Sequence, residues 1–359
     1  MQTVPDGTWR QTTNTQAPNN NPQRTAMLDI FNHFMPHTIF DRLDKLIPGH
    51  VALKAFPERP SLLDLSSRLR MMDEFDDLQQ VLSLSNPPIE ALGGPDVTPL
   101  LARIANDGLA EIYNKHPDRF PAWIASMPMN NVDACMQEID RSIGQLGARG
   151  IQIFTNVLGK PLSLPEYRPI FRKMAELDLP VWIHPMRGPQ MADYASESKS
   201  ENEIWFSFGW PYETTACATR LIFSGLFDEL PNLKIILHHM GGMIPFFAGK
   251  IDLGFDQIFY GTTQLNPQAE KAGLKKRPIE YYKMLYGDTA LNGGVAATKC
   301  GHSFFGTEHS VFATDAPFDA EDGRLLIRTT INAINALDVS DAEKQMILGG
   351  NARRLLKLT

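Results

Sequence analysis

The sequence predicts an α/β fold, a closed (β/α)8 TIM barrel with a small insertion after its first strand. Three observations predict it. Eight short apolar runs alternate with helical patterns, which calls for a parallel sheet under a helical layer. Four of those runs end on side chains able to do chemistry: Leu28-Asp29-Ile30-Phe31-Asn32-His33, Val181-Trp182-Ile183-His184-Pro185, Ile235-Ile236-Leu237-His238-His239 and Val311-Phe312-Ala313-Thr314-Asp315. A closed barrel is the arrangement that gathers such strand ends on one rim. No glycine-rich loop follows Phe31, as an open doubly wound sheet would normally require.

Taken in order, the first strand is expected at 26–31, with Asn32, His33 and Pro36 leading out of it. Residues 37–70 read as an irregular, mixed-charge insertion around Pro48, Gly49, Pro57 and Pro60, a partial lid. Residues 73–80 read as the end of a helix because Phe75 and Leu78 share a face, and 81–85 as the second strand, stopped by Asn86-Pro87-Pro88. A helix over 99–116 carries Leu100, Ile104, Leu109 and Ile112 on its apolar side. The third strand follows at 120–127, with Pro121 acceptable at its edge. Residues 132–146 are amphipathic and Gly147 stops them, before a fourth strand at 150–154. A helix over 167–177 leads to the fifth strand, which ends in His184. A helix over 215–227 precedes the sixth strand at 233–237; the seventh is expected at 281–286 and the eighth at 310–314. Pro317 takes the chain out of the ladder just beyond Asp315, and short helices over 340–348 and 351–358 close the chain.

The chain has 359 residues, 43% of them apolar, and a formal charge of -7. A chain of this size buries roughly three quarters of its unfolded surface, enough for one large domain or two modest ones. Lys and Arg are scattered, so there is no electrostatic footprint for nucleic acid. Cys135, Cys217 and Cys300 are too few and too far apart for a disulfide framework or a thiolate knuckle, which fits a reducing, cytoplasmic setting. Residues 1–26 are polar and rich in Asn, Gln, Thr and Pro, and read as a flexible tail or a strap over a neighbouring subunit. No run of eighteen apolar residues points to a membrane span.

His33, His184 and Asp315 offer two imidazoles and a carboxylate, a set that suits zinc or another borderline divalent ion with an open position. Their wide separation means nothing as a local motif. It gains meaning only if strands one, five and eight share a rim; otherwise each residue simply ends its strand. His239 is placed to move a proton, because imidazole titrates near neutrality, and the glycines at 241 and 242 allow a ligand to approach the backbone closely. Its neighbour His238, expected to point the opposite way, reads as a packing residue or a support for its neighbours. Arg187 either forks onto a substrate carboxylate or is an ordinary loop arginine. Asp288 either orients His239 or a water near the substrate, or caps a turn. Phe31, Trp182 and Trp210 either wall a flat substrate or fill the core.

Further blocks join these strand ends: Gly209-Trp210-Pro211-Tyr212-Glu213-Thr214-Thr215, Leu221-Ile222-Phe223-Ser224-Gly225, Phe227-Asp228-Glu229-Leu230-Pro231-Asn232-Leu233-Lys234, His239-Met240-Gly241-Gly242, Thr314-Asp315-Ala316-Pro317-Phe318 and Gly350-Asn351-Ala352. In that ordered set, residues 27–359 resemble the amidohydrolase-related metal-dependent decarboxylases. The resemblance implies that His184 and Asp315 are metal ligands and that His239 is the catalytic histidine. It implies two ligands from an N-terminal His-x-His or Glu-x-His motif. His33 matches the second, but Phe31 stands at the first and cannot bind a metal. One divalent metal is implied, zinc ahead of manganese, with binding weakened or lost through Phe31. The site then works with three protein ligands, recruits Asp29 or another carboxylate, or works without metal. Asp29 is awkwardly placed, two residues deeper in the barrel. The implied activity is non-oxidative decarboxylation of a small anionic aromatic or enolic acid, with Asp315 or a water linked to His239 as the acid. Hydrolysis or hydration of a lactone, amide or related molecule uses the same groups, and a non-catalytic metabolite-binding barrel is the third reading. A homodimer or homotetramer is the implied assembly.

Overall fold

The computed structural model describes residues 26–50, 52–257 and 272–358. The tail expected at 1–26 lies, apart from Ala26, outside the described residues.

Eight parallel strands form the barrel. They are β1 (Met27–Asp29), β2 (Leu78–Leu82), β3 in two pieces (Ala122–Trp123 and Ala125–Ser126), β4 (Ile151–Phe154), β5 (Val181–His184), β6 (Ile235–Leu237), β7 (Tyr286–Asp288) and β8 (Ser310–Val311). Each pairs with the next, as in Met27 with Leu78, Ile151 with Val181 and Val181 with Ile235. β3 is split because it changes neighbour at Ile124. The Ile124 N–H donates to the Leu82 carbonyl (3.0 Å), and the Ala125 N–H donates to that of Gly150 (3.0 Å). The ring closes where the Ile30 N–H donates to the Phe312 carbonyl (2.9 Å) and the Asp315 N–H to that of Phe31 (3.1 Å).

Alternation along the strands divides the core in two. Val181, Ile183, Ile151 and Ile153 face outward onto the helices, in a cluster that includes Leu101, Ala105, Leu109, Ile139, Ile170 and Phe171. Leu28, Ile30, Val81, Ile124, Trp182 and Ile236 face inward and fill the barrel with a second, separate cluster. The interior below the rim is therefore mainly packed hydrocarbon, with the buried Gln152, paired with Trp182, among it.

The helical layer follows the amphipathic patterns. Thr98–Lys115, Val132–Gly144, Arg168–Leu177 and Trp210–Phe223 lie close to their expected spans. Asn131 caps Val132–Gly144 by accepting from the Ala134 N–H, and Ser340 with Glu343 forms a capping box on the later short helix Asp341–Gln345.

Three expectations need correction. Residues 37–70 are not irregular: helices His37–Leu46, Ala52–Ala55, Pro60–Leu63 and Leu65–Met72 occupy most of that span. Its prolines punctuate between helices, and Pro60 sits in a first turn, where a missing N–H costs nothing. Leu78 begins β2 instead of ending a helix, so that strand starts three residues earlier than its apolar run suggested. Tyr281 and Tyr282 belong to a short helix, Pro278–Tyr282, that starts on a proline and has Glu280 bonding back to the Arg277 N–H. β7 therefore begins only at Tyr286. An apolar run of this length fits a strand or a buried helix equally well. Among the described residues, no helix is long and apolar enough to cross a membrane.

Candidate active site

β1, β5, β6 and β8 release their chains at one rim, and the polar groups that follow them converge there. His184 is the last residue of β5, and alternation points it inward above Trp182. His33 lies beyond β1, and its N–H donates to the Ala316 carbonyl (2.7 Å), which ties the loop after β1 to the loop after β8. Asp315 adopts a left-handed backbone (φ 64°), turning its side chain from the line of β8 towards the histidines.

His33 Nε2 lies 2.8 Å from Asp315 Oδ1, His238 Nε2 lies 3.3 Å from the same oxygen, and His239 Nε2 lies 3.6 Å from Oδ2. The His184 ring is 5.6 Å from that of His33 and 5.0 Å from that of His238, stacked on the latter. Its Nδ1 lies 2.6 Å from the Pro185 carbonyl, which can only accept, so the proton sits on Nδ1 and Nε2 is left with a free lone pair.

The expectation for His238 is overturned. It does not point away from His239, because the chain leaves β6 at this residue. His239 and Met240 have φ of 54° and 52°, so the two-residue alternation of a strand no longer applies. Both rings enter the site, with centroids 3.9 Å apart. Gly242 makes the turn possible: at φ 64°, a Cβ there would lie 2.3 Å from the Pro211 carbonyl oxygen. The sequence did carry a signal in the two glycines after the histidine pair, which mark a sharp turn where strand parity is lost.

Asp288 is likewise not a group facing substrate. It is fully buried, with Oδ2 2.5 Å from His238 Nδ1, while Oδ1 accepts from the backbone N–H groups of His239 (2.9 Å) and Ala290 (3.1 Å). Trp182 belongs to the barrel filling one layer below His184 and is not on a pocket wall. Phe31 tops that filling, with its ring 4.1 Å from His238, 5.0 Å from His33 and 5.8 Å from His184. Trp210 does stand at the site, stacked 6.1 Å from His239 and edge-on 5.3 Å from His184. Phe154 and Phe318 approach His184 and His33 at 5.1 and 5.2 Å. Arg187 stands further out: it pairs with Glu213 (3.3 Å) and the Ala192 carbonyl (3.2 Å), and its own carbonyl accepts the Trp210 indole N–H (3.0 Å). A substrate carboxylate would have to compete with Glu213 for it.

The electrostatics follow from burial and crowding. Burial pushes Asp315 up, but the bonds from His238, His239 and His33 hold it well below the usual carboxylate range. Burial pushes His184 well down, reinforced by His238 and His33, so it is a neutral imidazole. His239 is also lowered, by burial and by His238. Burial works against charge on His238, but Asp288 and Asp315 overturn it and carry the ring up to about 9. The cluster therefore favours positive charge beside Asp315.

A divalent ion fits these residues. Ligand atoms of His33, His184 and His238 lie within 4.8 Å of one another, as do those of His238, His239 and Asp315. His33 Nδ1 is buried without a hydrogen-bond partner among the described residues. Asp29, the carboxylate that could stand in for the donor missing at Phe31, is engaged elsewhere: its Oδ2 accepts from Gln80 Nε2 (3.0 Å) and Thr314 Oγ1 (2.7 Å).

The chain matches the family described as amidohydrolase over residues 33–358. It belongs to the amidohydrolase family. Among amidohydrolase relatives, the γ-resorcylate decarboxylase of Rhizobium sp. strain MTP-10005 is 32% identical over 337 residues, covering 91% of this chain and 96% of that protein. The 2-amino-3-carboxymuconate-6-semialdehyde decarboxylase of Dictyostelium discoideum is 32% identical over 260 residues, 72% of this chain and 67% of that protein. The crystal structure of a dihydroxybenzoic acid decarboxylase from Polaromonas sp. JS666, with bound manganese and the inhibitor 2-nitroresorcinol, superposes with a TM-score of 0.74 at 27% identity. That superposition covers 93% of this chain and 97% of the other.

Proposed function

We propose that this chain is a metal-dependent carboxy-lyase that decarboxylates a small anionic aromatic or enolic acid without oxidation. The observation that carries this reading is the convergence of His33, His184, His239 and Asp315 on one rim above a largely apolar, packed barrel. Similarity to decarboxylases of aromatic acids supports the choice of reaction over hydrolysis. His33, His184 and Asp315 would hold the ion. Their imidazoles suit zinc, while manganese, present in the Polaromonas relative, is the second ion to test. When bound, the divalent ion supplies positive charge that offsets the negative charge developing on the substrate.

The chain's own residues do the rest. The rings of Trp210, Phe154 and Phe318 suit the faces of a flat substrate. The apolar filling capped by Phe31 excludes water from below. His239, whose Nε2 lies beside Asp315 Oδ2, brings a proton in from solvent, and across this pair it passes to the carbon bearing the carboxylate. The bond to the carboxylate then breaks, its electron pair returns to the ring, and CO2 leaves; one proton is consumed for each CO2 released. Arg187 attracts the substrate's charge at the mouth, in exchange for Glu213.

The test is CO2 release from hydroxybenzoates, including 2,6-dihydroxybenzoate, and from enolic acids. Activity should disappear on chelation and return with zinc or manganese. Metal-replete protein that releases no CO2 from the panel but cleaves lactones or amides would overturn the proposal.

A further inference from the structure

The strand-end position that faces His33 along β1 is taken by Phe31, whose ring occupies space beside His33, His184 and His238. No donor is offered from there. Across the barrel, His238 reaches the same point from β6. Its ring lies against Phe31 and stacks on His184, and its Nε2 meets Asp315 Oδ1, the oxygen that His33 Nε2 also meets. We infer that His238 is a ligand of the metal centre, completing from β6 the set formed by His33, His184 and Asp315, and that Asp288 is its positioning residue. This rests on the metal-dependent reading above and deepens it.

Three observations carry the inference. His238 shares a cluster of potential donor atoms within 4.8 Å with His33 and His184, and a second such cluster with His239 and Asp315, so it is the residue common to the two sides of the centre. Its nitrogens are divided in the manner of a ligating imidazole. Nδ1 is held 2.5 Å from the buried Asp288 carboxylate, which fixes ring orientation and leaves Nε2 directed at the centre. His239 does not duplicate this role. Its side chain is 14% exposed whereas that of His238 is 2% exposed, so the buried ring serves the ion and the more open one serves the proton. Phe31 then has a positive function: it is the wall against which the His238 ring packs.

The test measures metal content and affinity by titration with Zn2+ and Mn2+, together with the visible absorption of Co2+-loaded protein, which reports coordination without turnover. Compared with the unmodified chain, His238→Ala should bind metal about 100-fold more weakly and change the Co2+ band. Asp288→Asn should lose roughly 10- to 100-fold in affinity, as supporting carboxylates do. In the double variant Phe31→His with His238→Ala, an imidazole enters the space beside the missing ring, and at least tenfold of the lost affinity should return. That rescue separates ligation from a folding defect. His184→Ala is the control for the underlying reading. If it loses metal while His238→Ala keeps the parental affinity and Co2+ spectrum, the inference fails and the metal-dependent reading stands. If the unmodified chain binds no metal, both fail.

Discussion

Two buried polar clusters are built on the ends of β1 and β8, and they differ in how completely their groups are matched. Beside β1, Arg68 is fully buried with every nitrogen engaged: Nε donates to the Ser61 carbonyl (2.8 Å), Nη1 to Asn32 Oδ1 (3.2 Å) and Gln80 Oε1 (3.0 Å), and Nη2 to the His33 carbonyl. Asp29 completes that cluster through Gln80 and Thr314. At the rim, by contrast, four imidazoles crowd one carboxylate, His33 Nδ1 has no partner among the described residues, and His184 and His239 are pushed towards neutrality. A matched network holds its shape and offers nothing to a ligand. A mismatched one keeps donors in reserve at an energetic cost, which is how a reactive site differs from a structural one.

The comparison breaks most sharply by exchanging single residues between its two sides. Asp315→Asn should lower CO2 release by a factor of about 1,000 or more, an effect read chiefly in rate, because it removes one half of the proton pair and a ligand from the mismatched side. Rate measurements with parallel thermal denaturation check this. Arg68→Met should do the opposite, costing about 3–5 kcal/mol by stranding Asp29 and the groups around it. Denaturant titration reads that loss, and an unchanged midpoint would erase the distinction between the clusters.

Gly242→Ala sharpens the comparison on the rim. The clash with Pro211 should cost about 2 kcal/mol and turn both histidines, lowering kcat about tenfold. The smallest effect is in pH dependence. Burial, against bonds from Thr314 and Gln80, raises Asp29 to about 7. Below the ordinary aspartate value of about 4 both folded and unfolded chains hold this proton. As pH rises from there towards 7 the folded chain keeps a proton that the unfolded chain releases, so stability declines with pH through that window. Asp29→Asn should flatten this decline in denaturation midpoints measured from pH 5 to 8.

The barrel was legible because its signals are local: apolar runs of strand length, several of them followed by an amphipathic helix. His33, His184, His239 and Asp315 were legible because each follows such a run. The short helices within 37–70 were obscured by their prolines, although a proline at a first turn starts a helix as readily as it stops one. Arg68 and Gln80 left no trace, since their significance lies in contacts with Asn32, His33 and Asp29, which only the folded barrel supplies. His238 was misjudged by applying strand parity one residue too far.

The left-handed turn at His239 and Met240 makes the paired rings behave as tweezers whose jaws are set by the main chain. Re-aiming them is then a matter of the hinge and not of the jaws: substitutions at Gly241 or Gly242 should reposition both imidazoles together, giving a single handle on metal grip and proton delivery at once.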